Sequence, residues 1–317
     1  RGFPMDADTA QTMYECLLCG SCTNDCVTGF EPPLYIRQAR TEAAVEGLTP
    51  PAVQAVLDRL LETGNVFGSK GCALTLPSSK EGAEVLVWLG ATARYAMPEI
   101  AKAFLSLLGK AKVDFQILPD EPDSGVALYD LLGPVEEVRQ AAKQSVEAVN
   151  ATGAQRLVVL DSYDAAFFLH TIREWGLELK PQMITATAFV DDLVKQGKLK
   201  PERVSGKVSY HDGSRLARDL DEHQPARDLL ASMGFELCEM FLNRRLAKCC
   251  GTTLFGQYAP ELLRKVAKGR WADAARTDAR ILVSACPQSA YALEQTVLEG
   301  FAFTDLFVLL DQHAQGE

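Results

Sequence analysis

Long apolar runs are missing from this chain. A bilayer span needs about 20 consecutive apolar residues. The longest stretches here, RLVVL from Arg156 and ILVSAC from Ile281, are strand-sized. The opening residues RGFPMDADTAQT carry no apolar core of a secretory signal. The expectation is a cytoplasmic protein with no membrane segment of its own, able to dock to a membrane subunit. Because the chain opens on Arg1, a partner cysteine run upstream stays open. Basic charge is also short: 32 Lys and Arg stand against 42 Asp and Glu, a net charge of −10. Such a surface repels phosphates, which argues against nucleic acid and anionic lipid as partners. No G-x-G-x-x-G follows a strand pattern and there is no phosphate-binding loop, so no flavin or nucleotide site is expected on this chain. His170, His211, His223 and His313 are scattered and make no paired-ligand motif.

What the chain does have is cysteine, nine in all and mostly in tight groups. An odd count, with regular helix and strand patterns around it, reads as metal or cluster ligation rather than a disulfide framework. YECLLCGSCTNDCVTG places Cys16, Cys19, Cys22 and Cys26 in a C-x2-C-x2-C-x3-C run. A [4Fe–4S] cubane takes thiolates from such a turning segment. Gly20 lets the backbone pass close to it. Zinc sites more often use two separated C-x2-C pairs. In two-cluster ferredoxins the fourth cysteine of the run serves the other cluster and precedes proline; here Val27 follows Cys26. Two solutions remain. Cys26 closes the same cluster, which needs no long-range assumption and is favoured, or Cys72 in GSKGCALT supplies the fourth thiolate. Beyond the run, LYIRQARTEAAVEG and PPAVQAVLDRLLETG read as helices ending at glycine. This gives a helical cluster domain with its linker over residues 1–80.

From residue 81 the chain repeats itself with a period near 125 residues, as EVLVWLGA from Glu84 and KVSYHDGS from Lys207 show. PDSG at Pro122 matches KCCG at Lys248, and RLVVLDSYDAA matches ILVSACPQSAY. Each copy reads strand, helix, strand, loop, helix, strand, helix, so the fold class is α/β with parallel strands. The copies span 81–203 and 204–317.

A ferredoxin-like run followed by two α/β copies, the second with Cys249-Cys250-Gly251 and Cys286-Pro287, resembles the cysteine-rich (CCG) domain family over nearly the whole chain. Members include heterodisulfide reductase catalytic subunits and the iron–sulfur subunits of glycolate oxidase and anaerobic glycerol-3-phosphate dehydrogenase. The resemblance implies a redox subunit of anaerobic metabolism, working beside a flavoprotein or other redox subunits. It also implies five cysteines per complete copy. The second copy keeps Cys249, Cys250 and Cys286, with Ser214 and Ser289 at the other two places. The first has Ala91, Asp123, Ser124, Asp161 and Asp164 there, so it is expected to bind no cluster and to act as scaffold or docking surface.

The three remaining cysteines leave several readings open: a second iron–sulfur cluster, zinc, or buried thiols that bind nothing. The fourth ligand would be Cys238, or His211, Asp212 or Ser214 at the end of VSYHDGS. Asp191 and Asp192 read as a solvated helix face. Lys248, Arg244 and Arg245 stand where they could lower a thiolate pKa, or lie exposed. Two functions follow: an electron-transfer subunit relaying through the N-terminal [4Fe–4S] cluster, ranked first, and a catalytic reductase subunit acting at Cys249, Cys250 and Cys286.

Overall fold

A computed structural model describes residues 5–72, 74–75 and 80–316. Positions 73 and 76–79 of the expected linker, and the first four residues of the expected cluster domain, lie outside the described residues. The N-terminal part is helical: Ala7–Tyr14, Ser21–Asn24, Pro32–Val45 and Pro51–Thr63. Proline begins the last two, where a missing N–H costs nothing. Gly64 ends the fourth in the left-handed region.

Two parallel four-stranded sheets follow. The first has β1 (Val85–Trp88), β2 (Phe115–Ile117), β3 (Arg156–Val159) and β4 (Gln182–Thr185), in the order β2-β1-β3-β4. A short strand β5 (Leu199–Pro201) closes this half. The second sheet has β6 (Lys207–His211), β7 (Glu236–Leu237), β8 (Ile281–Ser284) and β9 (Ala302–Asp305), in the order β7-β6-β8-β9. The orders are the same, position for position, which carries the internal repeat into the fold. β10 (Ala314–Gly316) pairs antiparallel with β5 and ties the two tails together.

The sequence reading missed β4 and β9. Both are four-residue edge strands with a half-exposed, partly polar pattern, and they carry little apolar signal. It also read Asp191 as solvated. Asp191 is buried instead and paired with Lys195 at 2.6 Å, while Asp192 is exposed.

The copies pack reciprocally. Helix Pro98–Lys110, from the first copy's first crossover, lies on the second copy's last helix, Leu306–His313. Helix Ala186–Lys195 ends the first copy and lies on Pro225–Ser232, from the second copy's first crossover. Phe104 and Phe307 meet edge to face at 5.3 Å in a core that draws on both copies. The N-terminal helices dock on helix Val126–Leu132, where Tyr14, Arg40 and Thr41 donate to the carbonyls of Leu131, Asp130 and Leu132.

Candidate functional site

In a sheet of this order the chain leaves the first strand on one side and the third on the other. Their carboxyl ends flank a crevice, the usual ligand position in open α/β sheets. The second copy's retained motif lies there. Ser214 follows β6 and Cys286 directly caps the helix after β8. The CCG turn reaches the same place. Gly251 has φ +103°, and a Cβ there would stand 2.1 Å from Leu263, so the turn needs glycine. Ser214 acts to lower the pKa of Cys249, and Ser289 that of Cys250. The serines at the two altered places thus bear on two of the cysteines that remain.

The N-terminal run meets this motif. Arg40 donates to the Cys16 carbonyl at 2.7 Å. Arg218 donates to the Cys19 carbonyl at 2.8 Å and to the Ala247 carbonyl at 2.6 Å. The run is thereby held from the helical side and from the second copy, two residues before Cys249. Leu18 and Gly20 take left-handed conformations that turn the chain sharply. The Cys19 and Cys249 side chains bear on each other. That interaction favours thiolate at Cys19, whose pKa falls to about 5 with help from the Ser21 N–H, Arg218 and Arg215 against burial. The same interaction, followed by burial, pushes Cys249 well up. Burial raises Cys250 to about 11 and Cys286 to about 12. Burial also raises Cys16, and the neighbouring Cys19 and Cys22 add to the rise.

Cys26 stands differently. Its sulfur lies 3.2 Å from Thr28 Oγ1 and accepts from Phe30 N at 3.3 Å; these contacts lower its pKa, the Thr28 hydroxyl most. Around it Val27, Phe30, Leu34 and Tyr35 are exposed. Cys72 donates to the Arg94 carbonyl at 3.4 Å, against the first copy. Cys238 lies beside Ser209, which donates to its carbonyl. His211 is fully buried at the end of β6 and accepts from Arg270 Nε at 3.0 Å. Burial, then Arg270 and Arg218, hold it neutral. Asp212 is committed elsewhere, to both guanidinium nitrogens of Arg227 and to Arg244 N. Lys248 pairs with Asp273. The cations that bear on the thiols are Arg40, Arg215, Arg218 and Arg270. Nothing in their spacing marks them in the sequence.

The donor set can be tested for an iron–sulfur group. Among the described residues no three His, Cys, Asp or Glu side chains already stand in a metal-holding geometry. The chemistry nevertheless fits. His211 Nε2, Arg218 Nη2 and Arg270 Nη2 are buried and have no hydrogen-bond partner. Buried donors are nearly always satisfied. Three orphans on groups around Cys19, Cys249 and Cys250 suit an anionic occupant with accepting sulfurs.

The first copy's crevice holds carboxyls instead. Asp161 and Asp164 are buried; Glu121 and Asp123 are half-buried. Asp164 accepts from Trp88 Nε1 at 2.9 Å and Ser124 Oγ at 2.5 Å. Glu121 accepts from the N–H groups of Leu89 and Gly90, and Asp123 from Gly125 N. Desolvation leads in raising all four: Asp164 to about 6, Glu121 and Asp123 to about 7, Asp161 to about 8. The two crevices touch. Gln288 donates to Asp161 at 2.9 Å, and Ser162 Oγ lies 2.9 Å from Cys286 Sγ.

Comparison with known sequences agrees with this picture. The sequence profile of the CCG cysteine-rich domain matches residues 208–294, the body of the second copy. That segment is similar to the cysteine-rich (CCG) domain family. It is 29% identical over 293 residues to a component of the dihydromethanophenazine:CoB–CoM heterodisulfide reductase of Methanosarcina acetivorans, covering 87% of this chain and 70% of that protein. It is 27% identical over 312 residues to a probable membrane-anchored ferredoxin of Chromohalobacter salexigens, covering 91% of this chain and 45% of that one. An EtfAB:quinone oxidoreductase of Syntrophomonas wolfei is 22% identical over 78% of this chain and 37% of its own. Likeness to solved structures, such as a glutamate racemase of Bacillus anthracis with a TM-score of 0.37 and 13% identity over 74% of this chain and 80% of that one, is too slight to carry an argument. Among the described residues no helix is long and apolar enough to cross a membrane.

Proposed function

We propose that this chain is an iron–sulfur electron-transfer subunit of a multi-subunit oxidoreductase that contains a flavoprotein. Cys16, Cys19 and Cys22, with Cys26 as the fourth thiolate, hold a [4Fe–4S] cluster. Cys249, Cys250 and Cys286 hold a second iron–sulfur group. Such groups store and release single electrons when bound. The observation that carries the reading is the contact between Cys19 and Cys249, which joins the two cysteine sets through one pair of sulfurs. Arg40 and Arg218 fix the run by its carbonyls, so the contact is held by buried structure. Cys250 and Cys286 are each 1% exposed, which favours a relay sealed from water. The three orphan N–H donors stabilise negative charge there. The exposed apolar residues around Cys26 support docking of a redox partner.

A second reading, a catalytic reductase subunit, has one observation in its favour. A cavity of about 360 Å³ opens beside the run, lined by Gly20, Tyr163, Arg215 and Arg218 among others, and has room for a small acceptor. Electron paramagnetic resonance of the anaerobically reduced protein tests the relay. Two neighbouring spins broaden and split each other's signals. The wild type should show that coupling, and a Cys249→Ser/Cys250→Ser/Cys286→Ser variant should give a single uncoupled signal. Identical uncoupled signals from both would remove the relay.

A further inference from the structure

In the first copy, carboxyls occupy the places that thiols hold in the second. Asp123 and Asp161 stand at the places of Cys249 and Cys286, Asp164 stands at that of Ser289, and Glu121 joins them over Gly90. A Cβ on Gly90 would stand 2.7 Å from both Asp161 and Asp164, so the carboxyls press directly on the backbone here. The charged and titratable groups facing the cluster are few. Arg94 comes from the helix Ala91–Tyr95, but its Nη1 and Nη2 go to the carbonyls of Leu118 and Pro119. Tyr95 lies on the same helix, and Cys286 faces Asp161 from the second copy. Trp88, Ser124 and Gln288 bring neutral donors. Four carboxyls sharing one desolvated spot with a single guanidinium cannot all be ionised, because like charges in low dielectric exclude one another.

We propose that this carboxyl cluster is a proton-storing site coupled to the cysteine site of the second copy. The inference rests on the reading above, in which that site accepts electrons. Each electron entering the Cys249, Cys250 and Cys286 site is matched by one proton from solvent, which converts one carboxylate of the cluster to its acid. The electron comes from the reduced partner of the complex. No bond to sulfur is made or broken, and the added negative charge is balanced across the contact between the copies. The link is short: Asp161 to Gln288, and Ser162 to Cys286, both at 2.9 Å. Entry is through Glu121 and Asp123, which are half-exposed, toward Asp161 and Asp164, which are buried. A cavity of about 40 Å³ is lined by Asp123, Ser124, Asp161 and Asp164, and one water needs about 10–15 Å³. The carboxyl pKa values, between about 6 and about 8, put the exchange in the neutral range.

The test is potentiometric titration of the second site, followed spectroscopically between about pH 6 and about pH 8, in wild type and Asp164→Asn. One proton per electron lowers the potential by about 59 mV per tenfold fall in proton concentration. Wild type should approach that slope and Asp164→Asn should lose at least half of it. Asp123→Asn is measured in parallel, so one poorly folding variant does not decide the matter. Equal slopes in wild type and the folded variants overturn the inference. Iron and sulfide counts on the same samples separate two failures. Two clusters with equal slopes overturn the inference alone, whereas absence of the second cluster overturns it together with the relay.

Discussion

The two crevices are built alike and filled oppositely. Gly90 and Asp161 stand two residues beyond the ends of β1 and β3, as Gly213 and Cys286 stand two residues beyond those of β6 and β8. Each crevice is completed by a turn on a glycine of strongly positive φ, Gly125 at +97° and Gly251 at +103°. At matched places one has Trp88, Asp123, Ser124 and Asp161, and the other His211, Cys249, Cys250 and Cys286. The difference shows that the turn and strand geometry of this fold survive the loss of sulfur. What changes is the charge the crevice accepts. One side buries acids, with Arg94 the cation beside them; the other buries thiols beside Arg215, Arg218 and Arg270.

Three changes break or sharpen that comparison. The largest effect is expected at Arg227, which holds Asp212 with two hydrogen bonds of 2.8 and 2.9 Å. Arg227→Ala strands a buried carboxylate and should cost about 3–5 kcal/mol in urea unfolding. The first copy has Leu89 at the place of Asp212 and depends on no such pair.

Next come the turns. Gly125→Ala should cost about 1–3 kcal/mol for its positive φ. Gly251→Ala should cost more, because its Cβ also collides with Leu263 at 2.1 Å, whereas the nearest atom at Gly125 is 3.2 Å away. Equal melting shifts for the two would contradict the packing difference.

The smallest effect, taken per pH unit, is a pH slope. Asp161 and Asp164 have folded pKa values near 8 and 6, above the unfolded value of 3.8. The folded state therefore keeps protons that the unfolded chain releases. The stability this gives is complete below about pH 4 and is lost as pH rises through about 6 and then about 8. The loss is on the order of 1 kcal/mol per pH unit per proton. Asp305, raised to about 7 by burial, adds to the same trend. Asp161→Asn/Asp164→Asn should flatten part of the slope in urea melts, with Glu121, Asp123 and Asp305 carrying the rest, and an unchanged slope would place the titration elsewhere.

Much of this was legible in the sequence. The repeat could be read because the strands RLVV and ILVS and the glycine turns keep their spacing, whereas the strand order with its edge strands β4 and β9 was not read from it. The thiol positions were legible because cysteine is chemically conspicuous. The site's other half was not. Arg218, Arg270 and Ser162 act through contacts between residues far apart in the chain, and their types are ordinary on helices. Nor could spacing reveal that Cys19 meets Cys249, since 230 positions separate them and docking of the helical part decides it. The carboxyl cluster was visible as lost ligands and gave no sign of its burial.

The central claim is that both cysteine sets hold iron–sulfur groups in one relay. Iron, zinc and acid-labile sulfide counts on anaerobically purified protein test it most directly, beside Cys249→Ser/Cys250→Ser/Cys286→Ser. The account predicts about eight irons in wild type and about four in the variant, with sulfide in step. About four irons in both, or one zinc lost with the variant, would contradict it.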